Sequence, residues 1–203
     1  MITIVAYGLG NVRAFANTYA RHGIPARIAT TAEELRSATH LILPGVGAFD
    51  WAMQKLAASG LRDALDEIVV EERSHVLGVC VGMQMMVERS EEGVRPGLGW
   101  IPGECKRFNS QANGRALPAP HMGWNDIAPT NDPLFNGLEM NAVFYFLHSF
   151  HVIPRETGAA IACAHYGEPF VCAIRRGNVV GVQFHPEKSH YWGERLLLNF
   201  ASW

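Results

Sequence analysis

The sequence predicts an α/β fold of three layers, with a central mixed, mostly parallel sheet covered by helices on both faces. Short apolar runs alternate with amphipathic helical patterns over the first half of the chain, as parallel strands and their crossover helices do. After Glu92 the texture changes: glycine and proline become frequent and several short strands follow one another. No repeat, low-complexity tract or linker interrupts the chain, so residues 1–203 are expected to form one domain.

The first strand is residues 2–7, followed by an amphipathic helix over 11–22 and a second strand over 26–29. Thr31, with Glu34 three positions on, reads as a capping box that opens the next helix. Residues 40–43 form a third strand, stopped by Pro44-Gly45. Residues 49–59 and 61–73 are helical, with Gly60 between them. Residues 75–79 are a fourth strand that runs toward a helix over 82–88. Later strands are expected over 105–108, 143–150, 159–164, 170–175 and 179–184, with a hairpin turn around Arg176-Gly177-Asn178. A last helix covers 193–200.

Of the 203 residues, 48% are hydrophobic and 18% charged, an ordinary globular balance that argues against disorder. A net charge of -2 without single-sign blocks gives no bulk attraction to nucleic acid or to anionic membranes. The richest apolar stretch, 143–153, is interrupted by His148, Ser149 and His151, and no run approaches the roughly 20 residues that span a bilayer. Met1-Ile2-Thr3-Ile4-Val5-Ala6-Tyr7 has neither the basic lead nor the cleavage site of a signal peptide. A soluble, cytoplasmic protein is expected. The four cysteines contain no C-x-x-C pair, which leaves a structural zinc site or thioredoxin-like motif unsupported. Cys105, Cys163 and Cys172 are expected as small apolar residues in or near the core.

Chemistry is carried first by His75-Val76-Leu77-Gly78-Val79-Cys80-Val81-Gly82-Met83-Gln84. An apolar strand runs into Gly-x-Cys-x-Gly and then a helix, which is a nucleophile elbow with sulfur in place of hydroxyl. The turn is sharp, so the flanking positions must be small, and Gly78 and Gly82 supply that room. Cys80 falls at the start of the helix, whose positive end favours a thiolate. The Val81 N–H, free at that helix start, can face an oxyanion. By itself the segment fits a buried structural cysteine equally well.

A base is found near the C-terminus, in Gln183-Phe184-His185-Pro186-Glu187-Lys188. A strand ends at His185, and Pro186 stops further pairing. In extended backbone His185 and Glu187 project to one side, so a carboxylate can accept from one ring nitrogen and leave the other for a thiol. The same H-x-E occurs in zinc deaminases, but they need a later P-C-x-x-C, and no cysteine follows position 172. Tyr7-Gly8-Leu9-Gly10-Asn11 follows a strand like a dinucleotide fingerprint, yet Arg13 stands where the third glycine is required. A tight turn presenting Asn11 to a partner is the better reading.

The elbow and the tail resemble the two signatures of the class I, triad-type glutamine amidotransferases. Leu43-Pro44-Gly45-Val46-Gly47-Ala48-Phe49 is similar to the family's oxyanion strand. Within the family the sequence looks most like the glutaminase subunits of imidazole glycerol phosphate synthase. Tyr7-Gly8-Leu9-Gly10-Asn11, Pro120-His121-Met122-Gly123-Trp124-Asn125 and Phe144-Tyr145-Phe146-Leu147-His148-Ser149-Phe150 carry that narrower likeness, and it spans essentially the whole chain.

The resemblance implies a triad of Cys80, His185 and Glu187, with Gly47 and Val81 as backbone donors of the oxyanion hole. It implies Gln84, Glu92 and Ser149 as holders of substrate glutamine. It implies Asn11, Trp124, Tyr145 and Lys188 near a partner and the ammonia exit. No metal or organic cofactor is implied, and the partner is a (β/α)8-barrel cyclase that forms a heterodimer with the glutaminase and receives its ammonia. The chain departs from the family at Ala6, where an acidic residue is common, at Val81 for leucine, and at Phe150 for tyrosine. Lys188-Ser189-His190 and residues 91–99 also resemble a paralogous group that feeds ammonia to a synthase of surface-polysaccharide sugars. A stand-alone cysteine hydrolase and a catalytically silent subunit remain as readings of a different class.

Overall fold

The computed structural model describes residues 1–71, 73–109, 111–112, 115–138 and 141–203. The chain opens with β1 (Ile2–Val5), α1 (Val12–Arg21), β2 (Ala26–Ala29), α2 (Ala32–Leu35) and β3 (His40–Gly45). α3 (Phe49–Ala58) and α4 (Arg62–Asp66) then lead to β4 (His75–Cys80). β1 pairs in parallel with both β2 and β3, and β3 with β4. All four residues of β1 are buried, as are the last five of β4, which is the signature of strands covered on both faces. Right-handed crossovers require α1 to lie on one face, because β1 to β2 runs one way across the sheet. They require α2, α3 and α4 to lie on the other, because β2 to β3 to β4 runs the opposite way.

The capping box at α2 forms as expected: the Glu34 N–H donates to Thr31, and the Thr31 N–H donates to the Glu34 carboxylate at 3.1 Å. The helix expected over 61–73 is shorter. α4 ends at Asp66 and Glu67–Glu71 continue as a π turn, while residue 72 lies outside the described residues.

After β4 come α5 (Val81–Met85), β5 (Arg89–Ser90), β6 (Gly103–Arg107), β7 (Gln111–Ala112), β8 (Arg115–Ala116), β9 (His121–Asp126) and β10 (Ala128–Pro129). The chain closes with β11 (Val143–His148), β12 (Phe150–Pro154), β13 (Ala160–Tyr166), β14 (Glu168–Arg176), β15 (Val179–Val182) and α6 (His190–Ala201). The main sheet runs β2-β1-β3-β4-β15-β14-β12-β6-β5, with β13 on β14 and β10 on β13. It is parallel through β15, which pairs with β4, turns antiparallel from β14 to β6, and ends on a parallel pair of β6 with β5. The hairpin between β14 and β15 turns at Gly177, as the sequence indicates, with φ +60°.

α6 packs beside α1: the Tyr19 hydroxyl donates to the Leu197 carbonyl, and Arg21 pairs with Glu194. Phe15, Tyr19, Leu196, Leu197 and Phe200 are all buried there. The strand expected over 143–150 is two strands, divided at Ser149. β11 leaves the main sheet and pairs with β9 as a two-stranded ribbon, and β12 joins the main sheet between β14 and β6. Alternation explains the ribbon. Phe144 and Phe146 are buried while Val143 and Leu147 are exposed, so one face packs on the core and the other does not.

Candidate active site

Cys80 is the last residue of β4 and the cap of α5, with φ 56° and ψ -114°. That conformation is costly for a residue with a side chain and persists only where the surroundings enforce it. The enforcement comes from three glycines. A Cβ on Gly78 would meet the Gly82 carbonyl at 2.7 Å, one on Gly82 would meet the Leu43 carbonyl at 1.9 Å, and one on Gly45 would meet the Gly82 nitrogen at 2.3 Å. β3, β4 and α5 therefore approach closer than any other residue would permit. The helix after the elbow is only five residues long, shorter than the expected 82–88. Met85 and Met86 carbonyls instead accept from Leu98 and Ile101.

Parallel pairing brings the distant base to the elbow. Val182 is in register with Val79, so the chain leaves β15 beside Cys80. Gln183 and His185 emerge there, both buried. The His185 N–H donates to the Tyr145 carbonyl at 2.8 Å, and the Ser189 hydroxyl donates to the His185 carbonyl at 2.6 Å, which fixes the backbone on both sides. His185 Nδ1 and Glu187 Oε1 are 2.9 Å apart. The contact does not arise from extended backbone, as the spacing suggests. Pro186–Lys188 form a 3-10 turn, and that turn brings the carboxylate to the ring. Burial by itself lowers the basicity of His185. Hydrogen bonds to Cys80 and Glu187, and the negative charges of both, outweigh it and raise the pKa to about 9. Cys80 and His185 thus face one cavity, with the Glu187 carboxylate held against the imidazole.

Cys80 and His185 open on a cavity of about 420 Å³ lined also by Gly47, Val81, Gln84, Glu92, Ser149 and Lys188, while Glu187 stands behind the imidazole and outside it. Its size suits a small polar substrate. Gly47 and Val81, the expected oxyanion donors, both face it, and Gly47 holds φ +86°. Gln84 is buried, donating to the Phe150 carbonyl and to Gln183 Oε1, both at 3.0 Å. Glu92 accepts from the Phe49 N–H at 2.8 Å and so caps α3, whose own cap residue Ala48 offers no side-chain acceptor. Among the described residues no cluster of three His, Cys, Asp or Glu side chains is arranged to hold a metal ion.

Residues 11–201 match the family model for glutamine amidotransferase class-I. The chain belongs to the class-I glutamine amidotransferases. Full-length relatives narrow the group. The imidazole glycerol phosphate synthase subunit HisH of Bdellovibrio bacteriovorus is 53% identical over 202 residues, covering 99% of each chain. The HisH subunit of Leptospira interrogans is 48% identical over 203 residues, covering 100% of each. The fold is also that of PurLQS from Thermotoga maritima (TM-score 0.75, 16% identity, 99% of this chain and 97% of that one). The crystal structure of a glutamine amidotransferase aligns similarly (TM-score 0.69, 23% identity, 100% of this chain and 99% of that one).

The residues expected on the partner side of this amidotransferase gather in part. Trp124 on β9 lies opposite Tyr145 on β11, their rings 6.0 Å apart, and Trp124 stacks on His190 at 5.3 Å. Lys188 Nζ sits 5.6 Å from the Tyr145 ring and also lines the cavity, joining this surface to the site. Trp124 is 49% exposed. Asn11 caps α1 by accepting from the Ala14 N–H at 3.3 Å, so its side chain has a structural use as well. Gly8 and Gly10 hold positive φ in the bend before it, at +95° and +85°.

Two residues near the candidate nucleophile and its cavity were given no role by the sequence. Gln183 Nε2 lies 3.8 Å from the Cys80 sulfur. Arg107 lines the cavity with its guanidinium 5.5 Å from the Phe150 ring. The position of Gln183, two residues before the base, could have pointed to it. Arg107 is at the end of a strand remote in sequence from every motif and had no such signal. No helix is long and apolar enough to cross a membrane among the described residues.

Proposed function

We propose that this chain is the glutaminase subunit of an imidazole glycerol phosphate synthase, hydrolysing glutamine and passing ammonia to a (β/α)8-barrel cyclase with which it forms a heterodimer. The observation that carries the reading is that Cys80, in its strained elbow, and His185, paired with Glu187 at 2.9 Å, line one cavity of about 420 Å³. The names of the full-length relatives supply the pathway. The chain would act as a single cytoplasmic domain.

In the proposed reaction the Cys80 sulfur attacks the side-chain amide carbon of glutamine. The oxygen that becomes negative is held by the Val81 and Gly47 N–H groups, each such donor typically contributing about 3–4 kcal/mol. The His185 proton goes to the departing nitrogen, which leaves as ammonia, and a γ-glutamyl thioester remains on Cys80. Thioester formation removes the negative charge on sulfur that helps hold the His185 proton. The imidazole, its proton given up, then takes one from water, and the resulting attack releases glutamate. The steps use only glutamine, water and these side chains.

Gln84, Glu92 and Ser149 hold the amino-acid end of the substrate, and Lys188 stands at the ammonia exit beside Tyr145. Asn11, Trp124 and Tyr145 face the cyclase. Completing the oxyanion hole with the Gly47 N–H calls for a peptide shift within Gly45-Val46-Gly47, which the positive φ of Gly47 makes accessible. The isolated chain is therefore expected to be nearly inactive.

Glutamate release measured with and without the cyclase tests the proposal. A low rate that rises when the cyclase is added supports it. Full turnover by the chain alone refutes the peptide shift, and partner-independent cleavage of other amides points to a stand-alone cysteine hydrolase. Activation by a sugar-pathway synthase in place of the histidine-pathway cyclase moves the chain to the paralogous group.

A further inference from the structure

Behind the glutamine cavity lies a chain of hydrogen bonds that the triad does not use. His148 Nδ1 is 2.8 Å from the Phe150 carbonyl. A carbonyl oxygen only accepts, so Nδ1 carries a proton. His148 is buried, and that burial drives its pKa down to about 3, so the ring is neutral and Nε2 is a bare acceptor. His121 Nδ1 lies 3.0 Å from that atom and must donate to it. Burial likewise takes the His121 pKa down to about 4, so its Nε2 is bare in turn. It accepts from Asn125 Nδ2 at 3.3 Å. The same Nδ2 donates to the His165 carbonyl at 2.9 Å, which fixes the orientation of the amide.

Every proton in this relay is thereby assigned, and all donate in one direction: Asn125 to His121, His121 to His148, His148 to the Phe150 carbonyl. That carbonyl also accepts from Gln84, whose other contact is Gln183, which reaches the Cys80 sulfur. His148, Ser149 and Phe150 together form one wall of the cavity. The rings are clamped on their faces too: His121 is stacked between Tyr166 at 4.2 Å and Phe146 at 4.8 Å.

We infer that His121 and His148 are positioning residues that hold the Phe150 carbonyl, and with it Ser149 and Gln84, in place for substrate glutamine. The inference rests on the glutaminase reading of the cavity and adds two residues that act through the wall. Loss of the His121 donor leaves a bare, buried nitrogen on His148 with nothing to accept from. That ring then gains by turning away from Phe150, and the wall loosens.

Steady-state glutaminase kinetics of the chain in complex with its cyclase test this with two variants. His121→Phe keeps the stacked ring and removes the donor. His121→Asn restores an N–H near the position of Nδ1. Expected is a rise of about tenfold in the KM for glutamine for His121→Phe, the loss of one buried hydrogen bond, with most of it recovered in His121→Asn. A merely structural role would reduce the fraction of active protein, lowering apparent kcat at unchanged KM, and that result overturns the inference. So does a KM equally raised in both variants, or unchanged in both. Ring nitrogen NMR supplies a second reading: both histidines are expected in the Nδ1–H tautomer, and an Nε2–H tautomer at either contradicts the relay. If the unsubstituted complex releases no glutamate while both tautomers are as assigned, the glutaminase reading fails instead, and the positioning role for glutamine falls with it.

Discussion

The His185 imidazole and the Glu187 carboxylate are 2.9 Å apart, with each side chain only 3% exposed. The second carboxylate oxygen, Oε2, is buried with no hydrogen-bond partner. Burial works against the charged ring, and the interactions with Cys80 and with this poorly solvated carboxylate together outweigh it. The folded pKa, about 9, is above the unfolded value, so the stabilisation is complete below about pH 6.5 and is lost as pH rises through about 9. It amounts to something on the order of 3 kcal/mol. Urea denaturation at pH 6 and pH 9.5 is expected to show this loss in the unsubstituted chain and a smaller one in Glu187→Gln, where only the Cys80 contribution is left. Equal pH dependence in the two would mean that Glu187 does not hold the proton.

Gly82 is where the elbow is least tolerant, because a Cβ there would stand 1.9 Å from the Leu43 carbonyl, a backbone atom that cannot swing aside. Gly82→Ala is expected to destabilise the fold by about 3 kcal/mol and to displace Cys80. Gly60→Ala makes the comparison: nothing stands within 4 Å of its Cβ, and only its φ of +73° resists the change. Thermal melts that rank Gly60→Ala as the more damaging would show that the elbow is looser than described.

Arg107 reaches the cavity that Glu92 also lines. Free glutamine carries both an ammonium and a carboxylate, and one residue of each sign suits that pair. Arg107→Gln is expected to raise the KM for glutamine by about 10- to 100-fold, the range for a lost charged hydrogen bond, with a smaller change in kcat. A normal KM in Arg107→Gln would remove the guanidinium from substrate binding.

The parts of the site that could be read in the sequence are those set by local spacing. Gly78-Val79-Cys80-Val81-Gly82 fixes its own turn, and His185-Pro186-Glu187 meets within a single turn, although the turn is 3-10 and not extended. The parallel strands were legible because burial on both faces leaves continuous apolar runs. Strand ends were less so. Residues 143–150 read as one run because Phe144, Phe146 and Phe150 are all aromatic, and nothing local marks Ser149 as the point where the chain changes sheets. β9 was visible only as a motif, since Met122 and Trp124 point outward and the strand has little apolar alternation. The His121–His148 contact joins two strands and depends on their register, which no single segment encodes.

Covalent chemistry at one sulfur underlies every proposed step. The chain, mixed with its cyclase and glutamine, can be quenched in acid and the Cys80 peptide examined by mass spectrometry. A γ-glutamyl adduct on Cys80 is expected, together with loss of glutamine-dependent synthesis in Cys80→Ala and retention of synthesis from added ammonium. Glutamate release that persists in Cys80→Ala, or an adduct found only on another residue, would contradict it.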